Sequence, residues 1–276
     1  MIRNILRDEL DFAYYLTEIE GWGTSKEQLE ELFLFSPKGF FISDSNGTLE
    51  GIISATYYGT FGFIGNLIVL EEFRNQGKGG NLIKHAINYL LSLGVKTIML
   101  DSVPEMCFLY ENFNFKPVCR SLRLEGEINQ KPIVQLQLMC QKDLPYVTKL
   151  DQLHFGGSRL TLLKRRFSRH PKLCYVLKRK DKLKGYIMGI PKKDHILVGP
   201  WVVDPKELEP QLLLQNLINN VDYKSIRIGI LEKNQIALRL ASNLKLSEYF
   251  FSIRMIYGKS FNQSNGVIAI AGPDRG

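Results

Sequence analysis

This chain offers little to a metal, a membrane or an oxidising compartment. Its 276 residues contain four cysteines, Cys107, Cys119, Cys140 and Cys174, at spacings that pair with nothing. They read as reduced thiols, not as a disulfide framework. The four histidines, His85, His154, His170 and His195, are scattered, so no zinc-type cluster is visible and no metal is expected. No apolar run approaches the roughly 20 residues that cross a bilayer. The opening Met1-Ile2-Arg3-Asn4-Ile5-Leu6-Arg7-Asp8-Glu9 is charged throughout, unlike the core of a secretory signal. These absences lead us to expect a cytoplasmic protein without membrane association.

What is present is an ordinary globular composition, 45% hydrophobic and 23% charged, in a chain long enough for two domains. Charge divides it. Residues 1–142 hold 13 Lys+Arg against 17 Asp+Glu, a net of −4, and the remainder holds 23 against 11, a net of +12, together the +8 of the whole. Such asymmetry argues for two units with different surfaces. In the basic half, Lys164-Arg165-Arg166, Arg169, Lys178-Arg179-Lys180-Asp181-Lys182 and Lys192-Lys193 support an alternative reading, binding of an acidic partner such as nucleic acid. They are interleaved with turns and lack a reader motif, so a solvated basic face is preferred.

The first half reads as a mixed α/β order. Leu10 to Glu20 has helical apolar spacing, and Ser25 with Gln28 forms a capping-box pattern opening a helix to about Phe35. Phe40 to Ser43 and Gly51 to Tyr58 read as strands around an Asn46-Gly47 turn. The apolar run Phe61 to Leu70 predicts a strand, and Asn81 to Leu91 a helix. Between them lies Arg74-Asn75-Gln76-Gly77-Lys78-Gly79-Gly80. Glycines joining a strand end to a helix start allow backbone N–H groups to converge on an anion, with the positive end of the helix dipole behind them. By itself the stretch reads first as a tight turn. It is neither a dinucleotide fingerprint, since Leu82 stands where the third glycine belongs, nor a Walker loop, since Gly79 follows Lys78.

With its flanks, this stretch resembles the acetyl-CoA signature of the GNAT superfamily of N-acetyltransferases. Leu67-Ile68-Val69 matches the strand end, and Arg74, Gly77 and Gly79 match the signature positions. Glu71 stands where Pro is common. A second match follows the buried strand Thr97 to Val103: Phe108-Leu109-Tyr110-Glu111-Asn112-Phe113-Asn114-Phe115 resembles the family's Leu-Tyr-x-x-x-Gly-Phe segment, with Asn114 for Gly. Strands near Val118–Leu124 and Ile133–Met139 complete the order.

The second half repeats that order in weaker form. Leu173–Lys178 and Lys184–Ile190 read as paired strands and His195 to Val203 as the signature strand. A helix (Leu208 to Val221), a strand (Ser225–Leu231), a helix (Gln235 to Asn243) and a strand (Tyr249–Tyr257) follow. The glycine turn is missing: in its place stand Asp204-Pro205-Lys206-Glu207-Leu208-Glu209-Pro210, with two prolines that lack an N–H and three acids that repel a pyrophosphate. The half also resembles the C-terminal domain of tandem acetyltransferases, through Asp151, Phe155-Gly156, Arg159 and Gly199-Pro200. The closing Ala271 to Gly276 is polar and turn-prone, and reads as a frayed tail.

The resemblance implies an α/β fold (α+β, mixed sheet) of two tandem GNAT-like acyl-CoA N-acyltransferase domains. The expected division is 1–142, binding acetyl-CoA, and 143–276, lacking a functional CoA site. It further implies transfer of an acetyl group from acetyl-CoA to a primary amine whose identity the residues do not reveal. Leu67, Ile68 and Val69 would bind the pantetheine arm, with the Val69 N–H as oxyanion donor. Asn75, Gln76, Gly77, Lys78, Gly79 and Gly80 would hold the pyrophosphate through their amides, with Arg74 and Lys78 adding charge. Tyr110 is the expected general acid and Asp101 the expected base, directly or through water. Trp22 would line the acceptor site, or else pack in the core. A non-catalytic acyl-CoA sensor is the remaining alternative.

Overall fold

The computed structural model describes residues 1–127, 129–131, 135–207, 209–223 and 225–276. In chain order it begins with β1 (Ile2–Asn4), α1 (Leu10–Ile19), α2 (Lys26–Phe35), β2 (Phe40–Ser45) and β3 (Thr48–Tyr57). The local signals operate as expected. Ser25 Oγ accepts from the Gln28 N–H at 3.3 Å while Gln28 Oε1 accepts from the Ser25 N–H at 3.1 Å, a reciprocal cap that starts α2. Asn46 and Gly47 take φ of 54° and 87°, the left-handed pair that matches a tight hairpin to strand twist.

Next come β4 (Gly62–Val69), α3 (Lys78–Ser92), β5 (Thr97–Ser102) and the short α4 (Cys107–Glu111). Leu82, Ile83, Ala86, Ile87 and Leu90 form the buried face of α3. On the sheet's other side, Ala13, Leu16, Leu29 and Leu32 of the first two helices pack with Phe40, Ile42, Ile52 and Ile68. This sheet runs β1-β2-β3-β4-β5; β1 to β4 pair antiparallel and β4 with β5 parallel.

The chain continues through β6 (Lys116–Glu127), β7 (Gln137–Leu138), α5 (Leu144–Phe155), α6 (Leu160–Arg169), β8 (Cys174–Arg179), β9 (Lys182–Pro191) and β10 (His195–Val203). It closes with α7 (Gln211–Asn219), β11 (Ser225–Leu231), α8 (Gln235–Asn243), β12 (Ser247–Gly258) and β13 (Val267–Ala269). Ile133 and Val134, where the last strand of the first half was expected, and Leu208, the expected start of a helix, lie outside the described residues. A core of Leu177, Ile187, Val198, Trp201, Leu213, Leu217, Ile228 and Leu240 binds these elements together.

Contacts group the chain into two units otherwise than a single cut after residue 142 would. One comprises Met1–Pro117, Met255–Ser260 and Arg275; the other comprises Val118–Arg254, Phe261–Asp274 and Gly276. Strand pairing explains part of this: β6 pairs antiparallel with β11 from Ser121 to Glu127. Sequence pattern shows strands but not which sheet receives them.

Three features escaped the sequence. Two helices, α5 and α6, carry the Asp151, Phe155-Gly156 and Arg159 marker. There the buried Arg159 guanidinium binds the Asp151 carboxylate, with Nε at 3.0 Å, and stacks 3.8 Å over Phe155, while the Tyr186 hydroxyl donates to the same carboxylate. The marker is a structural ion pair, buried and hydrogen-bonded as such pairs must be. The third feature is the tail, which is ordered instead of frayed. Val267 to Ala271 is buried. In the first unit, Arg275 pairs with Glu31 at 2.7 Å and its carbonyl accepts from the Tyr58 hydroxyl at 2.5 Å.

Candidate active site

In the first unit the site begins with a bulge. Ser54 pairs with Gly65 and Ile52 with Ile68, so Asn66 and Leu67 together face Ile53. Asn66 takes the left-handed conformation, φ 51°, which asparagine tolerates better than most residues. Its side chain is buried and donates to Ser54 Oγ at 3.1 Å. A bulge bends its strand, and β4 accordingly parts from β5. Their parallel pairing covers Gly62–Ile64 with Ile98–Leu100. Beyond it the strands open as a V, with Leu67, Ile68 and Val69 on one arm and Asp101 and Ser102 on the other.

The direction of the Val69 backbone groups follows from the ladder. Leu70 donates to the Glu50 carbonyl at 2.9 Å. Because successive residues of a strand aim at opposite neighbours, the Val69 N–H and C=O point away from β3, into the V.

The glycine turn stands at the end of the same arm. Asn75 and Gly77 are left-handed, φ 60° and 76°, and Gly77 caps α3 without a side-chain hydrogen bond. The first helical bond runs from the Asn81 N–H to the Gly77 carbonyl at 3.0 Å. The amides of Lys78, Gly79 and Gly80 precede it, so they have no carbonyl one turn back. At Gly79 a Cβ would meet only Val69 Cγ2, at 3.9 Å. No protein atom requires glycine there; its bareness leaves space above the helix N-terminus. Amides without a helical acceptor, a helix dipole and that space suit a bound anion, and they fit the diphosphate of a CoA thioester.

The two basic side chains of the turn have protein partners. Lys78 Nζ binds the buried Glu50 carboxylate at 2.5 Å and Ser45 Oγ at 3.3 Å, and Ser43 Oγ donates to Glu50 at 2.6 Å. Burial alone would raise the Glu50 carboxyl, but hydrogen bonds from Lys78, Ser43 and Ser45 outweigh it and hold it down to about 2. Arg74 Nε donates to the Val69 carbonyl at 2.9 Å, and its guanidinium also pairs with Glu20. Each of the two cations expected to add charge at the pyrophosphate is thus paired with a carboxylate in this structure. Sequence reading missed Glu20, Glu50 and Asn66, although an asparagine inside an apolar strand run is a usable sign of a bulge.

Tyr110 is buried on α4, with its ring edge-on to Phe115 at 6.0 Å between centroids. Burial raises its phenol well above the ordinary value, so it keeps its proton at physiological pH. Asn114 is left-handed, φ 65°, which explains why it can replace glycine. Asp101 is half-buried at the first position of β5 beyond the paired segment, where it interacts with neighbouring groups. Trp22 is 45% exposed and so is not a core residue; that place belongs to Trp201, which is fully buried. Among the described residues no three His, Cys, Asp or Glu side chains gather as a metal site, and no helix is long and apolar enough to cross a membrane.

The second unit has the same bulge and a different ending. Val198 pairs with Gly189 and Trp201 with Ile187, leaving Gly199-Pro200 against Met188. β10 pairs with β11 from His195 to Val198 and then diverges, but here the V is filled. β13 pairs with Trp201 and Val202, the Val203 N–H donates to the Gly266 carbonyl at 2.8 Å, and the Ile270 N–H reaches the Gly229 carbonyl of β11 at 2.9 Å. Arg166 clamps the filling by donating to the carbonyls of Gly199 at 2.5 Å and Ala271 at 3.0 Å. The turn also satisfies itself: the Lys206 N–H binds Asp204 at 3.0 Å and the Glu209 N–H binds Glu207 at 3.2 Å. Part of the basic half is likewise paired, with Lys178 on Asp143, Arg179 on Glu207 and Glu209, and Lys184 on Asp204. This weakens the reading as a nucleic-acid binder.

Comparison with known proteins agrees with this duplicated geometry. Residues 3–115 match the model of the acetyltransferase (GNAT) family, and residues 147–268 match that of an acetyltransferase (GNAT) domain. The Bacillus subtilis protein YitH, an uncharacterized N-acetyltransferase, is 23% identical over 201 residues, covering 70% of this chain and 69% of its own. A crystal structure from Pyrococcus horikoshii assigned to the acetyltransferases superposes with a TM-score of 0.80 at 21% identity, covering 100% of this chain and 95% of that one. A tandem GNAT protein from the clavulanic acid biosynthesis pathway gives 0.65 at 12% identity, covering 95% and 99%. At these identities the two structures speak for the fold alone.

Proposed function

The chain belongs to the GNAT family as a tandem of two such domains, and we propose that its first unit transfers an acetyl group from acetyl-CoA to an amine. The observation that carries this reading is the open V between β4 and β5 beside the uncapped amides of Lys78, Gly79 and Gly80. Acetyl-CoA supplies an acyl group activated as a thioester. The chain's own groups then have distinct tasks. Leu67, Ile68 and Val69 offer backbone to the pantetheine arm, and Asn75 to Gly80 offer amides to the diphosphate. The Val69 N–H, turned into the V, stabilises negative charge on the carbonyl oxygen. The Tyr110 phenol, kept protonated by burial, holds the proton needed by the leaving sulfur. Asp101, on the facing arm, takes a proton from the amine, directly or through water. Trp22, exposed after α1, lines the acceptor side.

The second unit binds no donor in this reading, because its V and its turn amides are already occupied by protein. Calorimetric titration with acetyl-CoA, followed by thioester-consumption assays with a panel of primary amines, tests the proposal. One bound donor per chain and amine-dependent consumption are expected. Binding without consumption across the panel favours a sensor; absence of binding rejects the reading.

A further inference from the structure

We infer that Glu20 and Arg74 form a latch through which donor occupancy is passed to the Trp22 segment. The inference rests on the donor site proposed above. Arg74 divides its guanidinium between two partners, the Val69 carbonyl at the mouth of the V and the Glu20 carboxylate at the end of α1. An arginine fork can hold both at once. The residue therefore ties the end of β4, beside the anion-suited turn, to the connection between α1 and α2.

That connection turns on two glycines. Trp22 stands between Gly21 and Gly23, both left-handed with φ of 66° and 61°, and a Cβ placed on either would meet nothing within 4 Å. Trp22 is 45% exposed. Its tethers include its N–H to the Thr17 carbonyl, at 3.1 Å, and the neighbouring Glu20–Arg74 pair.

The two cations near the turn differ in what would free them. The Lys78–Glu50 pair has its carboxylate buried, with two serines close to the pair, so removing the lysine would strand a buried charge. The Arg74–Glu20 pair is 45% and 31% exposed. Such a pair gains little, and a competing anion displaces it readily. A diphosphate arriving at the amides of the turn competes with Glu20 for Arg74. The bond to Val69 remains, Glu20 is released, and the Trp22 segment loses a tether. The donor thereby loosens the acceptor side before the acceptor arrives, and Glu20 and Arg74 act as positioning residues.

The chain contains two tryptophans, Trp22 and the fully buried Trp201, so acrylamide quenching of fluorescence reports Trp22 without any knowledge of the acceptor. Saturating the protein with CoA should increase that quenching. In Glu20→Gln the free protein should already show the increased quenching, CoA should add little to it, and CoA should bind about two- to fivefold more tightly, the range set by an exposed ion pair. CoA that binds without changing Trp22 quenching, or a Glu20→Gln protein unchanged in quenching and affinity, overturns the latch. A protein that binds no CoA overturns the donor assignment instead.

Discussion

Each of the two units carries a strand with a two-against-one bulge beside a parallel neighbour that it leaves after a few pairs. In the first unit no strand among the described residues pairs into the resulting V, and the turn beyond it gives α3 no side-chain cap. In the second, β13 lies in the V, carboxylates bind the turn amides of Lys206 and Glu209, and the α7 amides of Leu212 and Leu213 donate to the carbonyls of Glu209 and Pro210. The difference follows from backbone hydrogen bonding. A strand that parts from its neighbour exposes donors and acceptors that must find partners. They can find them in a ligand or in the protein itself. The second unit took the latter course, with Arg166 holding the substitute in place, and so kept the bulge while giving up the opening.

Substitutions can break this contrast, and the largest effect is expected at the chemistry. Tyr110→Phe should lower turnover by ~10²-fold while leaving CoA affinity nearly unchanged, as expected for loss of a proton donor; steady-state rates set against calorimetry separate the two. Unaltered turnover would remove Tyr110 from its role.

Next, Gly199→Ala should drive a Cβ to 2.1 Å from the Ile270 carbonyl oxygen and push β13 from its place. We expect a loss of about 2 kcal/mol in chemical denaturation, with the CoA stoichiometry still one because the turn amides stay capped. Two bound CoA molecules would mean that β13 alone closes the second site.

A smaller effect is expected from Gly79→Asp, where the new side chain enters open space. A carboxylate favours a helix N-terminus, so the melting temperature should hold while CoA affinity falls about tenfold through charge repulsion and loss of room. Unchanged affinity would remove the turn from the donor site.

The smallest effect concerns Glu50, whose folded carboxyl is held down to about 2 from an ordinary 4.5. A depressed carboxyl stabilises the fold above its unfolded value, and that stabilisation is lost as pH falls through the folded value. Denaturation midpoints of the natural protein should therefore fall between about pH 4.5 and 2. Those of Glu50→Gln should start lower and change less across that window. Parallel curves for the two proteins would contradict the pairing with Lys78.

The sequence disclosed the local features well because their causes are local. Asn46-Gly47, the Ser25–Gln28 cap and the period of α3 were legible as written, as were the glycine turn and the Tyr110 segment. The fates of Arg74 and Lys78 were not, since their partners Glu20 and Glu50 lie 54 and 28 positions away along the chain. A charge in sequence shows its sign, not the group that will neutralise it. β13 was hidden for a related reason. Val267, Ile268 and Ala269 look like a short apolar stretch in a polar tail until two diverging strands are placed on either side.

By itself the sequence determined the elements, their repeated order, and which of two similar halves retained an uncapped glycine turn. Periodicity, turn chemistry and motif spacing act over a few residues and need no tertiary context. Only the tertiary structure decided which strand joins which sheet, which cations remain available to an anion, and that the second V is filled. Each of those outcomes depends on groups far apart in the chain competing for the same hydrogen bonds, and such competition is resolved only when the chain folds.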